Sequence, residues 1–495
     1  MTIQQALETA RLAHRAGRLP EAEALYRQIL ANAPRHADAL HLLGIIAGQN
    51  GRHAEAVELF RKSIAENPDN PETHKNLGVA LKAIGQVDEA IAACRAAVAL
   101  KPDYAEAHKN LGGLFHGKGE LEEAIAAYRQ AITFRPGYAE ACSNLGAVLR
   151  DAGKLDEAIS ACRQAISLNK ALPEAHSNLG NALFDQRAYD EAIAAYRDAL
   201  LLAPRFAAAW NNLGIALESK GQPDEAIAAY QMAVELRPDH ADAFAKLGHA
   251  LKDQSRIAEA IEAYRKATEL RPDSPDWRHV LAALSGDTSP TGTPASYVRT
   301  LFDSYADDFD ADLVAKLGYH VPEILLEAVL SVAPGRKFDI LDLGCGTGLC
   351  GVQFHPHASH LAGVDLSPAM LAKADARGIY DQLITGDISE AMRDQGKSFD
   401  LILAGDLFVY VGDLEGVFES AARVLRPDGL LAFSLERHDG EGFVLHSKIR
   451  FAHSLAYIRD LAHAHRFSEL IANEITVRKS GITPVAGWLV VLQAS

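Results

Sequence analysis

Apolar and small residues along the first half of the chain recur in blocks, and the blocks themselves repeat with a period of thirty-four. Leu43-Gly44, Leu77-Gly78, Leu111-Gly112, Leu145-Gly146, Leu179-Gly180, Leu213-Gly214 and Leu247-Gly248 follow at that step without a gap. Twelve residues beyond each glycine stands an alanine, Ala56, Ala90, Ala124, Ala158, Ala192, Ala226 and Ala260, where one helix must approach another closely. Prolines close the units at Pro34, Pro68, Pro102, Pro136, Pro204, Pro238 and Pro272; the fifth unit has Lys170 there and Pro173 three residues on. The pattern predicts two antiparallel helices per unit, stacked so that each unit buries its apolar face only against its neighbours. Residues 3–274 make eight such units, the first the least typical with Ala10 in the glycine's place, and residues 275–284 predict a terminal helix over the last open face.

The pattern then changes. Residues 285–296, SGDTSPTGTPAS, have the composition of a linker, which permits relative motion unless packing suppresses it. From Tyr297 one or two amphipathic helices lead to short apolar runs of strand length. The first run, Phe338, Ile340, Leu341 and Leu343, enters a loop in which Gly344, Gly346 and Gly348 carry no Cβ, so main-chain N–H groups can face a ligand at the start of the next helix. A second strand, ending in Asp365 and Leu366, places a carboxylate twenty-three residues after Asp342. A doubly wound fold puts the acid that accepts ribose hydroxyls there. A dinucleotide fingerprint would have its third glycine one position later, where this chain has Leu349.

Together these motifs resemble the class I S-adenosylmethionine-dependent methyltransferases, and the remaining segments agree in order and spacing. LITGDI, ending in Asp387 and Ile388, stands where that family hydrogen-bonds the adenine. FDLILAGDLFVYV supplies a fourth strand ending at Ala404, and VLRPDGLLAFSLE a helix end, a Pro-Asp-Gly turn and a fifth strand. The thirty-four-residue units resemble the tetratricopeptide repeat, and nearly the whole chain resembles bacterial fusions of such repeats with a methyltransferase. The implied architecture is an all-α tetratricopeptide-repeat superhelix, residues 1–284, then the linker 285–296 and an α/β Rossmann-like class I methyltransferase domain, residues 297–495, with leading helices as a lid. The implied cofactor is S-adenosyl-L-methionine. Its contacts would be Asp342, Gly344, Cys345, Gly346, Gly348, Asp365, Leu366, Asp387, Ile388, Ala404 and, from the lid, Tyr305.

Composition narrows the partners. A formal net charge of −16 argues against nucleic acid or an anionic membrane as the general partner. The start of the chain has amphipathic helical spacing instead of a secretory signal, and no run reaches membrane-span length, so a cytoplasmic protein is expected. Five cysteines without a C-x-x-C pair make no disulfide framework. His355, His357 and His360 are read as no metal site, because Pro356 breaks the spacing and the segment lies away from the active edge of the sheet.

Two residues before the glycine, five consecutive units carry Asn76, Asn110, Asn144, Asn178 and Asn212. An asparagine pairs with both C=O and N–H of an extended peptide whatever its sequence. The ladder resembles the asparagine array in the repeats of O-linked N-acetylglucosamine transferase; the alternative is that each asparagine bonds within its own unit. Rungs roughly 10 to 20 Å apart would span on the order of 40 to 80 Å, the reach of a peptide. At the acceptor side Asp406, Tyr410 and His453 are the candidates to guide a proton, with Tyr457 one helical turn from His453, while Tyr305 and Phe309, four apart on the lid helix, are expected to cover the cofactor or to pack beneath it. The leading reading is a methyltransferase whose repeats recruit a protein or peptide; the others are a methyltransferase of a small metabolite with repeats used for assembly, and a non-catalytic scaffold.

Overall fold

The computed structural model describes residues 2–393, 398–480 and 483–495; the side chains of residues 314–316, within the expected lid, and of residue 480 lie outside the described part. The chain divides into two compact units, residues 1–238 and 239–495.

The first unit is helical throughout. Pairs such as Pro71–Ala83 with Val87–Leu100, and Ala105–Lys118 with Leu121–Phe134, recur at the expected period. The packing explains the Leu-Gly signature. A Cβ added to Gly44, Gly78, Gly112, Gly146, Gly180 or Gly214 would stand 2.3 to 2.8 Å from Phe60, Cys94, Tyr128, Cys162, Tyr196 or Tyr230, the residue sixteen positions on. Each glycine is thus the seat of a side chain from the second helix. The recurrent alanines Ala56, Ala90, Ala124, Ala158, Ala192 and Ala226 are fully buried. The turn between the paired helices needs a left-handed residue, met by glycine at Gly17, Gly51, Gly85, Gly119, Gly153 and Gly221. In the sixth unit Arg187 takes that conformation at φ 64°.

The second unit holds the eighth helix pair, Ala241–Asp253 and Ile257–Leu270, the cap helix Pro275–Ser285 and a sheet domain. Its strands are β1 (Phe338–Leu343), β2 (Ala358–Asp365), β3 (Gln382–Thr385), β4 (Phe399–Ala404), β5 (Leu425–Arg437), β6 (Phe443–His446), β7 (Arg450–His453), β8 (Phe467–Ser480) and β9 (Thr483–Ala494). β3-β2-β1-β4-β5 run parallel, β9 joins β5 antiparallel and β8 flanks β9. The hairpin β6–β7 docks on the end of β5. Period-two alternation sends Leu341, Leu343, Ile402 and Phe433 into one apolar layer and Ile340, Leu401, Leu403 and Ala432 into the other, so both faces are covered. The order in which strands are added reverses at β1, between β2 and β4, and the carboxyl ends of these strands are where such a sheet opens a crevice.

The linker composition gives no hint that residues 291–293 are tied down. Thr291 O accepts from Gly412 N at 3.0 Å and from Asp413 N at 2.7 Å, and Thr293 N donates to Tyr410 O at 2.9 Å. A Cβ on Gly412 would lie 2.8 Å from Thr291 O, so only glycine admits the strap. The cap helix adds to it: His279 packs against Phe451 of β7, with ring centroids 6.1 Å apart.

Candidate active site

A cavity of about 270 Å³ opens at the carboxyl ends of β1, β2 and β4. Its floor is the glycine loop, where Gly344, Gly346 and Gly348 have φ of 62°, 54° and 92°. No atom lies within 4 Å of where a Cβ of Gly346 would be, so this backbone is open to close approach. Asp342, Gly344, Cys345, Gly346, Asp365, Leu366, Asp387, Ile388 and Tyr305 all line the cavity. Gly348 and Ala404 do not: Gly348 starts the helix Leu349–Phe354 with Tyr380 packed against it, and Ala404 is fully buried beneath the rim.

Each acid here already has partners. Asp365 accepts from Gly346 N at 2.9 Å and Ser367 N at 2.8 Å, which fixes the loop and leaves lone pairs for a ligand. Burial pushes its carboxyl up, against the pull of those two N–H groups. Asp387 accepts on Oδ1 from Ser389 N and Glu390 N, capping the helix Ile388–Arg393. Asp342 is buried, and Tyr380 donates its hydroxyl to it at 2.7 Å. Burial raises this carboxyl to about 7, the Tyr380 bond opposing and the Asp365 charge adding.

The roof is the helix Ala295–Tyr305 and the residues after it. Asp303 accepts from Ser367 Oγ at 2.5 Å, and Asp310 pairs with Thr347 and with Arg377. Tyr305 donates to Asp312 at 2.9 Å and meets Phe309 edge-on.

The acceptor side differs most from the sequence expectation. Asp406, at φ 55°, lines the cavity, yet both its oxygens accept from Arg478 Nη1 at 2.6 Å. Arg478 also binds Glu436. Burial pushes the Asp406 carboxyl up while Arg478 and Arg450 pull it down; taking a proton would break the ion pair, so a free base is not what this carboxylate offers. Tyr410 lines the cavity with Arg450 beside it, whose charge opposes the upward push of burial on the hydroxyl. His453 does not reach the cavity. It ends β7 instead of sharing a helix turn with Tyr457, is fully buried, and donates Nε2–H to Gly412 O at 2.9 Å. Burial lowers it to about 4, so it is neutral at ordinary pH. Tyr457 donates its hydroxyl to Asp413 at 3.0 Å and accepts from Leu414 N at 2.9 Å. Both side chains therefore brace the loop that carries Tyr410, which corrects the proton-transfer role expected of His453.

Arg450 and Arg478 were not singled out in the sequence. Arg478 follows a bulge in the β8–β9 ladder, between Thr476 and Arg478. That bulge lets Val477 and Arg478 both be buried, which simple alternation forbids.

In the first unit, Asn110, Asn144 and Asn178 line one concavity of about 590 Å³ together with Lys82, Lys109 and Tyr128. Asn76 and Asn212 are not among its lining residues. Asn212 donates Nδ2 to Asn181 Oδ1 at 2.9 Å and accepts from Asn211 Nδ2 at 3.2 Å, so part of its amide is held by neighbouring asparagines. Asn178 donates to Ser143 O and Oγ and keeps its carbonyl open; Asn144 stands beside Tyr128 in the same concavity.

The pattern described by the family profile "Methyltransferase domain" matches residues 340–429, and tetratricopeptide-repeat profiles match successive stretches from residue 7 to residue 284. The chain joins tetratricopeptide repeats to a class I methyltransferase domain. The chain is 36% identical over 106 residues to "Methyltransferase-like protein 27" of Homo sapiens, covering 21% of this chain and 43% of that one. It is 33% identical over 109 residues to the malonyl-[acyl-carrier protein] O-methyltransferase of Salmonella typhimurium, covering 22% and 43%. The chain thus spans less than half the length of these curated relatives. A solved structure of the APC/C hetero-tetramer Cut9–Hcn1 aligns with 54% of this chain and 52% of its own at 20% identity and a TM-score of 0.44. Among the described residues no helix is long and apolar enough to cross a membrane.

Proposed function

We propose that this chain is an S-adenosylmethionine-dependent methyltransferase whose repeats recruit a protein or peptide substrate. The observation that carries the first half is the open backbone at Gly346 with Asp365 and Asp387 facing one cavity. The N–H groups of the glycine loop suit the methionine part, the spare lone pairs of Asp365 the ribose hydroxyls, and Asp387 with Ile388 the adenine. When bound, the cofactor supplies an electrophilic methyl group on a sulfonium. The chain's own part is to hold the acceptor in line about 3 Å away and to exclude water, which can account for much of the rate. Tyr305, Phe309 and the roof helix cover the cavity, and the Arg478–Asp406 pair fixes its acceptor wall.

The second half rests on Asn110, Asn144 and Asn178 sharing one concavity. It makes three rungs where five were expected. Calorimetry with S-adenosylhomocysteine tests the cofactor: wild type binds and Asp365→Ala binds at least about tenfold more weakly, the loss of a hydrogen bond to a charged group. No binding by wild type would leave only the scaffold reading. Replacing Asn110, Asn144 and Asn178 together with Ala should lower kcat/KM on the true substrate and leave cofactor affinity intact; an unchanged kcat/KM sinks recruitment and favours a small metabolite.

A further inference from the structure

Cations are unevenly placed around the cavity. Its floor carries Asp342, Asp365 and Asp387, whereas the lining arginines, Arg450 and Arg478, both stand at the acceptor wall among apolar residues such as Val298, Phe302 and Val411. Arg478 is spent on Asp406 and Glu436. Arg450 is not. Among the described residues its only carboxylate within 4 Å is Glu436, at 3.7 Å, and that group is already taken by Arg478. Its other neighbour here is the Tyr410 hydroxyl, which burial keeps protonated. A guanidinium has five N–H donors in a planar fork that matches a carboxylate, so Arg450 keeps donors for a ligand.

The titratable groups on this wall tell the same story from the other side. Asp406 has both oxygens on Arg478, the Tyr410 hydroxyl lies beside Arg450, burial pushes the Tyr319 hydroxyl and the Cys350 thiol up so that both keep their protons, and His453 is off the cavity. An amine or hydroxyl acceptor must shed a proton during or after attack, and among the described residues of this wall none of these groups is free to take it. A carboxylate arrives already as an anion and needs none.

Resting on the methyltransferase reading above, we propose that the methyl acceptor is a carboxylate on an apolar arm, gripped by Arg450 and Tyr410, and that the product is its methyl ester. One carboxylate oxygen forms the new O–CH3 bond as the S–CH3 bond breaks; the electron pair of that bond goes to sulfur, which becomes a neutral thioether. No proton moves. The ester carries no charge, so the grip of Arg450 weakens on product, which aids its release.

The full chain saturated with S-adenosylhomocysteine is titrated with hexanoate and with hexanamide, its uncharged isostere. Wild type should bind the acid roughly tenfold or more tightly than the amide. Arg450→Gln should abolish that preference and Arg450→Lys retain part of it, with S-adenosylhomocysteine affinity unchanged in both. Equal binding of acid and amide by wild type, or an undiminished preference in Arg450→Gln, overturns the proposal. Should Arg450→Gln fail to fold, the methyl label carried into a host lysate decides: release as methanol in mild alkali supports an ester, and an alkali-stable label refutes it. Failure of wild type to bind S-adenosylhomocysteine would instead defeat the methyltransferase reading itself.

Discussion

Asp342→Asn is the substitution whose effect can be worked out furthest. The carboxyl is buried at the end of β1 and holds its proton up to about 7, against an ordinary 3.8, chiefly because burial penalises the charge. The folded state thus binds more protons than the unfolded one between those values. Its contribution is fully favourable below about pH 4 and is lost as pH rises towards 7. At about 1.4 kcal/mol per tenfold change, the loss by pH 8 approaches ~4 kcal/mol. Asparagine removes the charge and can still accept the Tyr380 hydroxyl, now at 2.7 Å from Asp342 Oδ2, but its NH2 needs a partner, which costs about 1–3 kcal/mol if none forms. The expected net gain is therefore about 1–3 kcal/mol at pH 8, and none or a loss at pH 5, where wild type is already protonated. Calorimetry of the full chain at both pH values measures it, the transition of the sheet domain being marked by its upward shift with S-adenosylhomocysteine. A variant no more stable than wild type at pH 8, or a difference identical at the two pH values, would refute the reasoning.

Two further predictions concern backbone geometry. Arg187 and Ser255 hold φ of 64° and 59° at turns where the other units have glycine, so Arg187→Gly and Ser255→Gly should each stabilise the repeats by up to about 1 kcal/mol; urea unfolding followed by helical circular dichroism checks this, and destabilisation by both would contradict it. In Gly412→Ala the new Cβ would lie 2.6 Å from the Phe451 ring and 2.8 Å from Thr291 O. The clash should cost about 1–3 kcal/mol and speed amide exchange at Thr293; unchanged exchange there means the strap is not held as described.

Much of this molecule was legible in the chain because its signals are local. A turn residue, a helix face and a glycine seat all lie within one thirty-four-residue unit, so the repeat declares its own architecture. The same holds for the glycine loop: Asp342, Gly344, Gly346 and Asp365 belong to one strand-loop-helix-strand unit whose short connections leave little freedom of placement. What lay beyond sequence reasoning was set by contacts between distant segments. Arg478 reaches Asp406 only because a bulge turns it inward and β9 carries β8 to the sheet. Thr291 is bound because Gly412, 121 positions away, has no Cβ. His453 lost its expected role to burial against Gly412, and Asn212 is bonded to asparagines beside it in space. The sequence by itself determined the two folds and the floor of the site, where neighbours along the chain are neighbours in space. Only the tertiary structure decided which polar groups around the cavity are spent on one another, as Asp406 is on Arg478 and His453 on Gly412.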